Sequence, residues 1–309
     1  MHRTLELTVP PAVTDALQRE LVALDEVIGL SVQLGASKKP VGDVLTVHVL
    51  NRGADEVLRR AAAAVPDAKA LSVVTSEAIS FIAPADHHAV DDDRDEAIWE
   101  EMESGLRHQG RITANYLLLM GLGGVICALG LVAEPVPQAL AFVASAVIAP
   151  GFDPMTKVPL GLALRRWRLV WHGLQSVLVG YAVLVVAAAG TMAALVANGD
   201  SSAHALATNP EVQHLAHPGL PELLLGAAGA LAGLVTLAAF RRSFQAGPLI
   251  AMAFIPAAAL IGAGPAVGRF DLALEGLERF GADWGFIVGL GVPFIWLKQR
   301  FVHRRAPLV

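Results

Sequence analysis

Hydrophobic and polar positions divide this chain into two regimes. Over residues 1–110 apolar positions alternate with polar ones or recur at helical spacing among many charges. From Asn115 onward they run together, and charge is confined to short clusters. Thr4–Val9 alternates apolar and polar, the period of a half-buried strand. Pro10-Pro11 interrupts it. Pro11 suits a first helical turn, and Val13, Ala16, Leu17, Leu21 and Leu24 follow at helical spacing. Val27–Leu34 and Val44–Leu50 read as the second and third strands. Ala54–Val65 reads as a second helix and Leu71–Ile82, after Pro66-Asp67, as a fourth strand.

The order βαββαβ predicts a small α+β ferredoxin-like domain over residues 1–83, with helices on one face of an antiparallel sheet. The other face then needs a second copy or another domain, which points to a homodimer. By element order the domain resembles small ligand-sensing domains of the ACT type, an analogy of fold that assigns no site. His48, in the third strand, reads as a partly exposed histidine before it reads as a ligand contact.

Residues 84–111 read as a linker. His87-His88 beside Asp91-Asp92-Asp93 matches no metal-ligand spacing, so a solvated charge run is the simpler reading. Asp93 suits an N-cap. Ile98, Met102 and Leu106 then mark one face of an amphipathic helix over Arg94–His108, lying on a membrane surface or against the sheet domain. Its acids come early and Arg107 and His108 late, as the helix dipole favours.

Residues 112–301 read as a transmembrane domain, with 302–309 a cytoplasmic tail. A spanning helix needs about 20 apolar residues. Tyr116–Ala133, Leu169–Val196, Glu222–Phe240, Gly247–Val267 and a last span cored by Trp284–Leu297 are candidates. Val136–Ala149 is short, meets Pro150-Gly151-Phe152-Asp153-Pro154, and resumes at Met155–Leu164: a broken second segment. Arg107 and Arg111, Arg165, Arg166 and Arg168, Arg241 and Arg242, and Lys298 to Arg305 flank alternate loops. By the positive-inside rule this gives six spans with both termini cytoplasmic, and residues 268–283 fall in an outer loop. Three spans starting inside followed by three starting outside is what an inverted repeat requires.

The composition agrees. The chain has 309 residues, 54% hydrophobic and 17% charged, with mean hydropathy +0.54, whereas soluble domains carry roughly 25% charge. A net charge of −5 gives no footprint for nucleic acid. MHRTLELTVP has no apolar signal-peptide run, so the first domain is expected to stay in the cytoplasm of a cell whose inner or plasma membrane holds the rest. The single cysteine, Cys127, lies in an apolar run and excludes an intrachain disulfide or thiolate metal site.

Asp153 and Lys157 carry the most chemistry, because neither belongs to a loop cluster. If Pro154 is the first helical residue, Asp153 is its N-cap and Lys157 sits one turn on, within pairing reach. A charge in a span costs about 2.5–3.5 kcal/mol at mid-helix, and unwound backbone at Pro150-Gly151 needs partners that lipid does not offer. A polar ligand or ion path through Pro150, Gly151, Asp153 and Lys157 is one reading. A helix break near the inner surface, with Lys157 snorkelling to headgroups, is the other. His172, Gln175 and Ser176 recur at helical spacing and either line the same vestibule or bond between helices. Arg111, Arg165, Arg166 and Arg168 offer contacts for an anionic ligand, or only the positive-inside signal.

Ala144–Leu164, ASAVIAPGFDPMTKVPLGLAL, resembles the hydrophobic membrane-protein family named domain of unknown function 389. The shared features are an alanine-rich helix, Ala149-Pro150, Pro154, Gly161 and the basic Arg165-Arg166. Pro218–Gly233 and Ala251–Gly262 are similar to later family segments, and the resemblance covers roughly 112–300. Phe152, Asp153 and Lys157 stand where the family has small or apolar residues, and Pro256 alone where it has a double proline. The resemblance implies architecture and no activity. No paired acid–base cluster, nucleophile elbow, zinc-protease motif or phosphate loop is present, so no enzyme, cofactor or metal is expected. Two functions remain. One is a ligand-regulated transporter or channel for a small solute or ion. The other is a membrane-anchored sensor binding a small anionic metabolite or nucleotide between its two parts.

Overall fold

The computed structural model describes residues 2–78, 87–93, 96–239, 252–303, 305 and 307–308. The chain is mostly helical and divides into two compact units, Met1–Met102 with His303–Val309, and Glu103–Val302.

The first unit runs β1 (His2–Val9), α1 (Pro11–Val22), β2 (Val27–Lys38), β3 (Val41–Leu50), α2 (Asn51–Ala64), β4 (Ser72–Ala78) and α3 (His87–Asp91), and includes the start of α4 (Trp99–Gln109). Pro11 opens α1 at its first position, where a missing N–H costs nothing. The sheet order is β2-β3-β1-β4, with every neighbour antiparallel. Leu5 pairs with Val47 on one side and Thr75 on the other. The two-residue period then puts Leu5, Leu7 and Val9 of β1 and Leu45, Val47 and Val49 of β3 on one fully buried face. Leu17 and Leu21 of α1 and Ala54, Val57, Leu58 and Ala61 of α2 complete that core. The intervening positions, Thr4, Glu6, Thr8, Thr46 and His48, are polar, as suits a sheet face turned to water.

The expected helix over Arg94–His108 is shorter, Trp99–Gln109, and Arg94 lies outside the described residues. Asp93 is not its cap. The Asn51 N–H donates to Asp93 Oδ2 at 2.6 Å and the Arg52 N–H to Oδ1 at 3.3 Å. Asp93 therefore caps α2, whose own N-cap residue, Leu50, has no side-chain acceptor for the orphan N–H groups. Arg3, buried on β1, ties the same corner together. It donates to Asn51 Oδ1 and the Glu96 carbonyl, each at 2.7 Å, and ion-pairs with Glu101.

The chain's last residues close on this unit. His303 Nδ1 lies 2.5 Å from Asp55 Oδ2. Arg305 donates to Asp55 Oδ1 and to both Glu100 oxygens, each at 2.6 Å. The Leu308 N–H adds a bond to Glu100.

The second unit holds α5 (Ala114–Gly130), α6 (Pro135–Ile148), α7 (Phe152–Ala163), α8 (Trp167–Asn198), α9 (Ala203–Thr208), α10 (Pro210–Ala216), α11 (Leu220–Ala238), α12 (Phe254–Ala266) and α13 (Phe270–Phe301). Thr113 caps α5 by accepting from the Tyr116 N–H, and Gly199, at φ +80°, ends α8. Among the described residues α8, α11 and α13 are each long and apolar enough to cross a membrane. The bent pair α6–α7 makes a fourth candidate. Of the six segments expected, α5 (17 residues) and α12 (13 residues) are shorter apolar helices. Arg241, Arg242 and the start of Gly247–Val267 lie outside the described residues.

One expectation is corrected. Residues 270–283 are not a loop but the first part of α13, a helix of 32 residues. Acidic residues lower the hydropathy there, yet Leu272, Gly276, Arg279, Asp283 and Ile287 are buried at helical spacing.

The unit is built twice. The Arg166 N–H bonds the Gly161 carbonyl at 2.7 Å, and the Arg269 N–H bonds that of Gly264 at 2.9 Å. The Arg165 N–H bonds the Leu162 carbonyl, and the Gly268 N–H that of Pro265. Arg165 (φ 56°) and Gly268 (φ 77°) share the left-handed turn. Gly161 backs onto Val170 N and Arg166 O, as Gly264 does onto Ala273 N and Arg269 O. Gly173 of α8 faces Pro154 O and Lys157 Cβ of α7, whereas Gly276 of α13 faces Ala257 O and Leu260 Cβ of α12. Every pair sits at one constant sequence offset. The halves also exchange contacts, with Pro159 of α7 against Gly291 of α13 and Gly262 of α12 against Val185 and Ala189 of α8.

Candidate functional site

Two short buried helices, α7 and α12, stand at equivalent places in the two halves, and the polar groups of the unit's interior gather near their N-terminal ends. In the first half, α6 ends at Ile148. The backbone turns at Ala149-Pro150-Gly151, and α7 continues at 52° to α6. The Ser145 carbonyl accepts from the Ala149 N–H, and the Ala149 carbonyl from the Gly151 N–H, so the break is partly satisfied from within. Gly151 is required for space, since any Cβ there would collide with the Tyr181 phenol of α8.

α7 starts at Phe152 with Gly151 as its N-cap residue, so Asp153 is a first-turn acid rather than the cap itself. It still faces the positive end of the helix dipole. Lys157 follows one turn later. Its side chain is 2% exposed, and Nζ donates to the Gly110 carbonyl at 2.7 Å. The strand of chain leading into α5 thus supplies the oxygen that an ammonium buried among apolar helices requires.

The structure brings Pro150, Gly151, Asp153 and Lys157 together and leaves the other candidates apart. His172 is exposed and Gln175 half-buried on α8. Ser176 is buried, its hydroxyl bonded to the His172 carbonyl, while its own carbonyl accepts from Tyr116 Oη at 2.7 Å. Arg111, Arg165 and Arg168 are exposed, and Arg166 is half-buried.

The second half holds a constellation that the sequence reading placed in a loop. Asp283 of α13 is fully buried, and its Oδ2 accepts from the Ala253 N–H at the start of α12 (3.1 Å). Arg279, one turn earlier and 5% exposed, points Nη2 toward Asp283 Oδ1 and the Glu222 carbonyl of α11, each at 3.4 Å. Glu275, a further turn back, lies 3.8 Å from His217. Gly226 of α11 leaves room for the Asp283 carboxylate. The missed signal was the four-residue spacing of Glu275, Arg279 and Asp283, in phase with Leu272, Gly276 and Ile287.

Comparison with protein families returns a match that spans α7 and α12. Residues 146–288 match the family model Domain of unknown function (DUF389). The resemblance read from the Ala-Pro break therefore holds for the segment from the end of α6 to the middle of α13. No curated protein and no solved structure gives a match. The DUF389 segment contains Asp153, Lys157, Arg279 and Asp283, and its family description names no activity.

Proposed function

We propose that the chain is a membrane transporter or channel for a small solute or ion, made of two inverted halves and regulated by its ferredoxin-like domain. The observation that carries this reading is the repeated joint. Each half presents a short buried helix, α7 or α12, to its own long helix and to that of the other half. Two interlocked halves, each with a short buried helix near the centre, are a construction suited to alternating access. Counting α5, α6 with α7, and α8 as three spans puts the second half in the opposite orientation and makes six in all. The His303–Val309 tail belongs to the same compact unit as residues 1–102, which agrees with an even number of crossings and with both termini in the cytoplasm of a cell membrane. One residue, Val302, separates α13 from His303. The small domain and the helix carrying Arg279 and Asp283 are thus joined by a single residue of chain.

The test is flux through proteoliposomes holding the full chain, with protons, potassium, sodium, chloride and small organic anions as probes. The reading predicts flux of at least one probe, changed by Asp153→Asn and by Lys157→Met while the variants stay monodisperse. Absence of flux for every probe, from protein shown to be folded, overturns it in favour of a membrane-anchored sensor.

A further inference from the structure

Along α13, Glu275, Arg279 and Asp283 succeed one another every four residues, on one face. Glu222 of α11 lies against the same face through its carbonyl, and His217 stands at the outer end, beside Glu275. The polar atoms of this row are buried and incompletely bonded. Arg279 Nε and Nη1, Asp283 Oδ1, Glu222 Oε2 and Glu275 Oε2 all lack a hydrogen-bond partner. Two of the side chains, Arg279 and Asp283, are more than nine-tenths buried. Unbonded donors and acceptors in an apolar interior are costly, and groups of both kinds along one face share a natural partner in water.

Packing does not require these charges. At the repeat's constant offset, Glu275, Arg279 and Asp283 correspond to His172, Ser176 and Gly180 of α8, where the space at Gly180 is filled by the Tyr116 phenol. The same joint therefore forms in the first half without an ion pair. The row carries two carboxylates, Glu275 and Asp283, and one guanidinium, so it has an excess of negative charge to neutralise. Among the described residues no three His, Cys, Asp or Glu side chains converge on one point as a metal ion would require. A proton needs no such cage.

We propose that Glu275, Arg279, Asp283 and the Glu222 carbonyl line a hydrated proton path inside the second half, with Asp283 as the group that takes up and releases the proton. The inference rests on the transport reading and names its coupling ion or cargo. Between Glu275 and Asp283 the helix axis advances about 12 Å, which carries the path from the end of α10, at His217, to the start of α12. The proton moves between a carboxylic acid at Asp283 and water, with Arg279 holding the carboxylate when it is empty. Among the described residues the groups facing Asp283 are Arg279 on its own helix, the Ala253 N–H, and Tyr181 on α8, whose ring meets Phe280 edge-on at 4.7 Å.

Two readouts on the full chain in proteoliposomes separate this idea from the reading beneath it. The first is the infrared difference spectrum between acidic and neutral pH. It should show a protonated-carboxyl band that shifts promptly in D2O, disappears in Asp283→Asn and survives in Asp153→Asn. The second is dye-reported proton influx under a potential, expected to fall to background in Asp283→Asn and severalfold in Glu275→Gln. A band insensitive to Asp283→Asn, or one that does not exchange in D2O, overturns the proton path even if other ions move. A D2O-sensitive Asp283 band without movement of any ion upholds the hydrated carboxyl and instead defeats the transport reading.

Discussion

The repeated joint makes a matched pair of substitutions informative. A Cβ on Gly161 would lie 2.7 Å from Val170 Cγ2, 2.9 Å from Val170 N and 3.0 Å from Arg166 O. A Cβ on Gly264 would lie 2.6 Å from Arg269 O and 2.9 Å from Ala273 N. Both sets include backbone atoms of the following helix, which cannot move aside by changing rotamer. Overpacking of this kind costs about 1–3 kcal/mol, and up to about 1 kcal/mol is returned by replacing a helical glycine with alanine. Gly161→Ala and Gly264→Ala are therefore each expected to lose about 1–2 kcal/mol. For a unit of this size that is a fall of roughly 3–6 °C in melting temperature. Gly281 and Gly285 of α13 have nothing within 4 Å of the same position. Gly281→Ala and Gly285→Ala are expected to be neutral or to gain up to about 1 kcal/mol. The assay is thermal unfolding of the purified full chain in one detergent at one protein concentration. A clear loss at Gly161 with no loss at Gly264 would refute the equivalence of the joints.

Other consequences concern the tail. Arg305 is 7% exposed and makes three charge-assisted bonds to Asp55 and Glu100, so Arg305→Ala leaves Asp55 with His303 and Glu100 with the Leu308 N–H in place of a guanidinium, at about 2–4 kcal/mol. Hydrogen exchange across residues 303–309 should rise sharply in that variant and less in Arg305→Lys, which lacks the planar fork; unchanged protection would contradict the clasp. Burial pushes the Asp55 carboxyl up, but the hydrogen bonds and charges of His303 and Arg305 outweigh it and hold Asp55 below its ordinary value. Burial likewise opposes, and Arg305 and the Leu308 N–H outweigh it, at Glu100. Depressed carboxylates give stability that is complete above their unfolded values of about 4 and is lost as pH falls through the folded ones. The first unit should accordingly weaken on acidification below about pH 4, and Arg305→Ala should flatten that dependence. A wild-type melting profile flat through the same range would count against it.

The sheet domain was legible because its two-residue alternation, from Thr4 to Val9, and its helix period, from Val13 to Leu24, contain few ambiguous positions. Element edges shifted where bonding partners are distant in sequence. Asp93 reads locally as the cap of the helix after it, but the unsatisfied N–H groups it serves are those of Asn51 and Arg52. The Pro150–Pro154 break was visible because proline and glycine interrupt an apolar run, and Lys157 because an isolated charge stands out there. Arg279 and Asp283 were hidden by the same hydropathy average that exposes spans, since a row of charges on one face looks like a loop when all faces are summed. The repeat was legible in the order of the spans and faint in the residues, because its halves share backbone demands more than side chains. Gly161, Arg166 and Gly173 recur as Gly264, Arg269 and Gly276, while Lys157 is matched by Leu260 and Asp283 by Gly180.

The most direct test of the inverted halves uses two exposed positions that the repeat makes equivalent, Arg168 at the start of α8 and Asp271 at the start of α13. Cys127 is buried and can be replaced by alanine, after which Arg168→Cys and Asp271→Cys each report one site. Sealed vesicles of known orientation are treated with a membrane-impermeant thiol reagent. The account predicts that the two cysteines are labelled from opposite sides, Arg168→Cys from the side of the N-terminal domain. Labelling of both from the same side would contradict it.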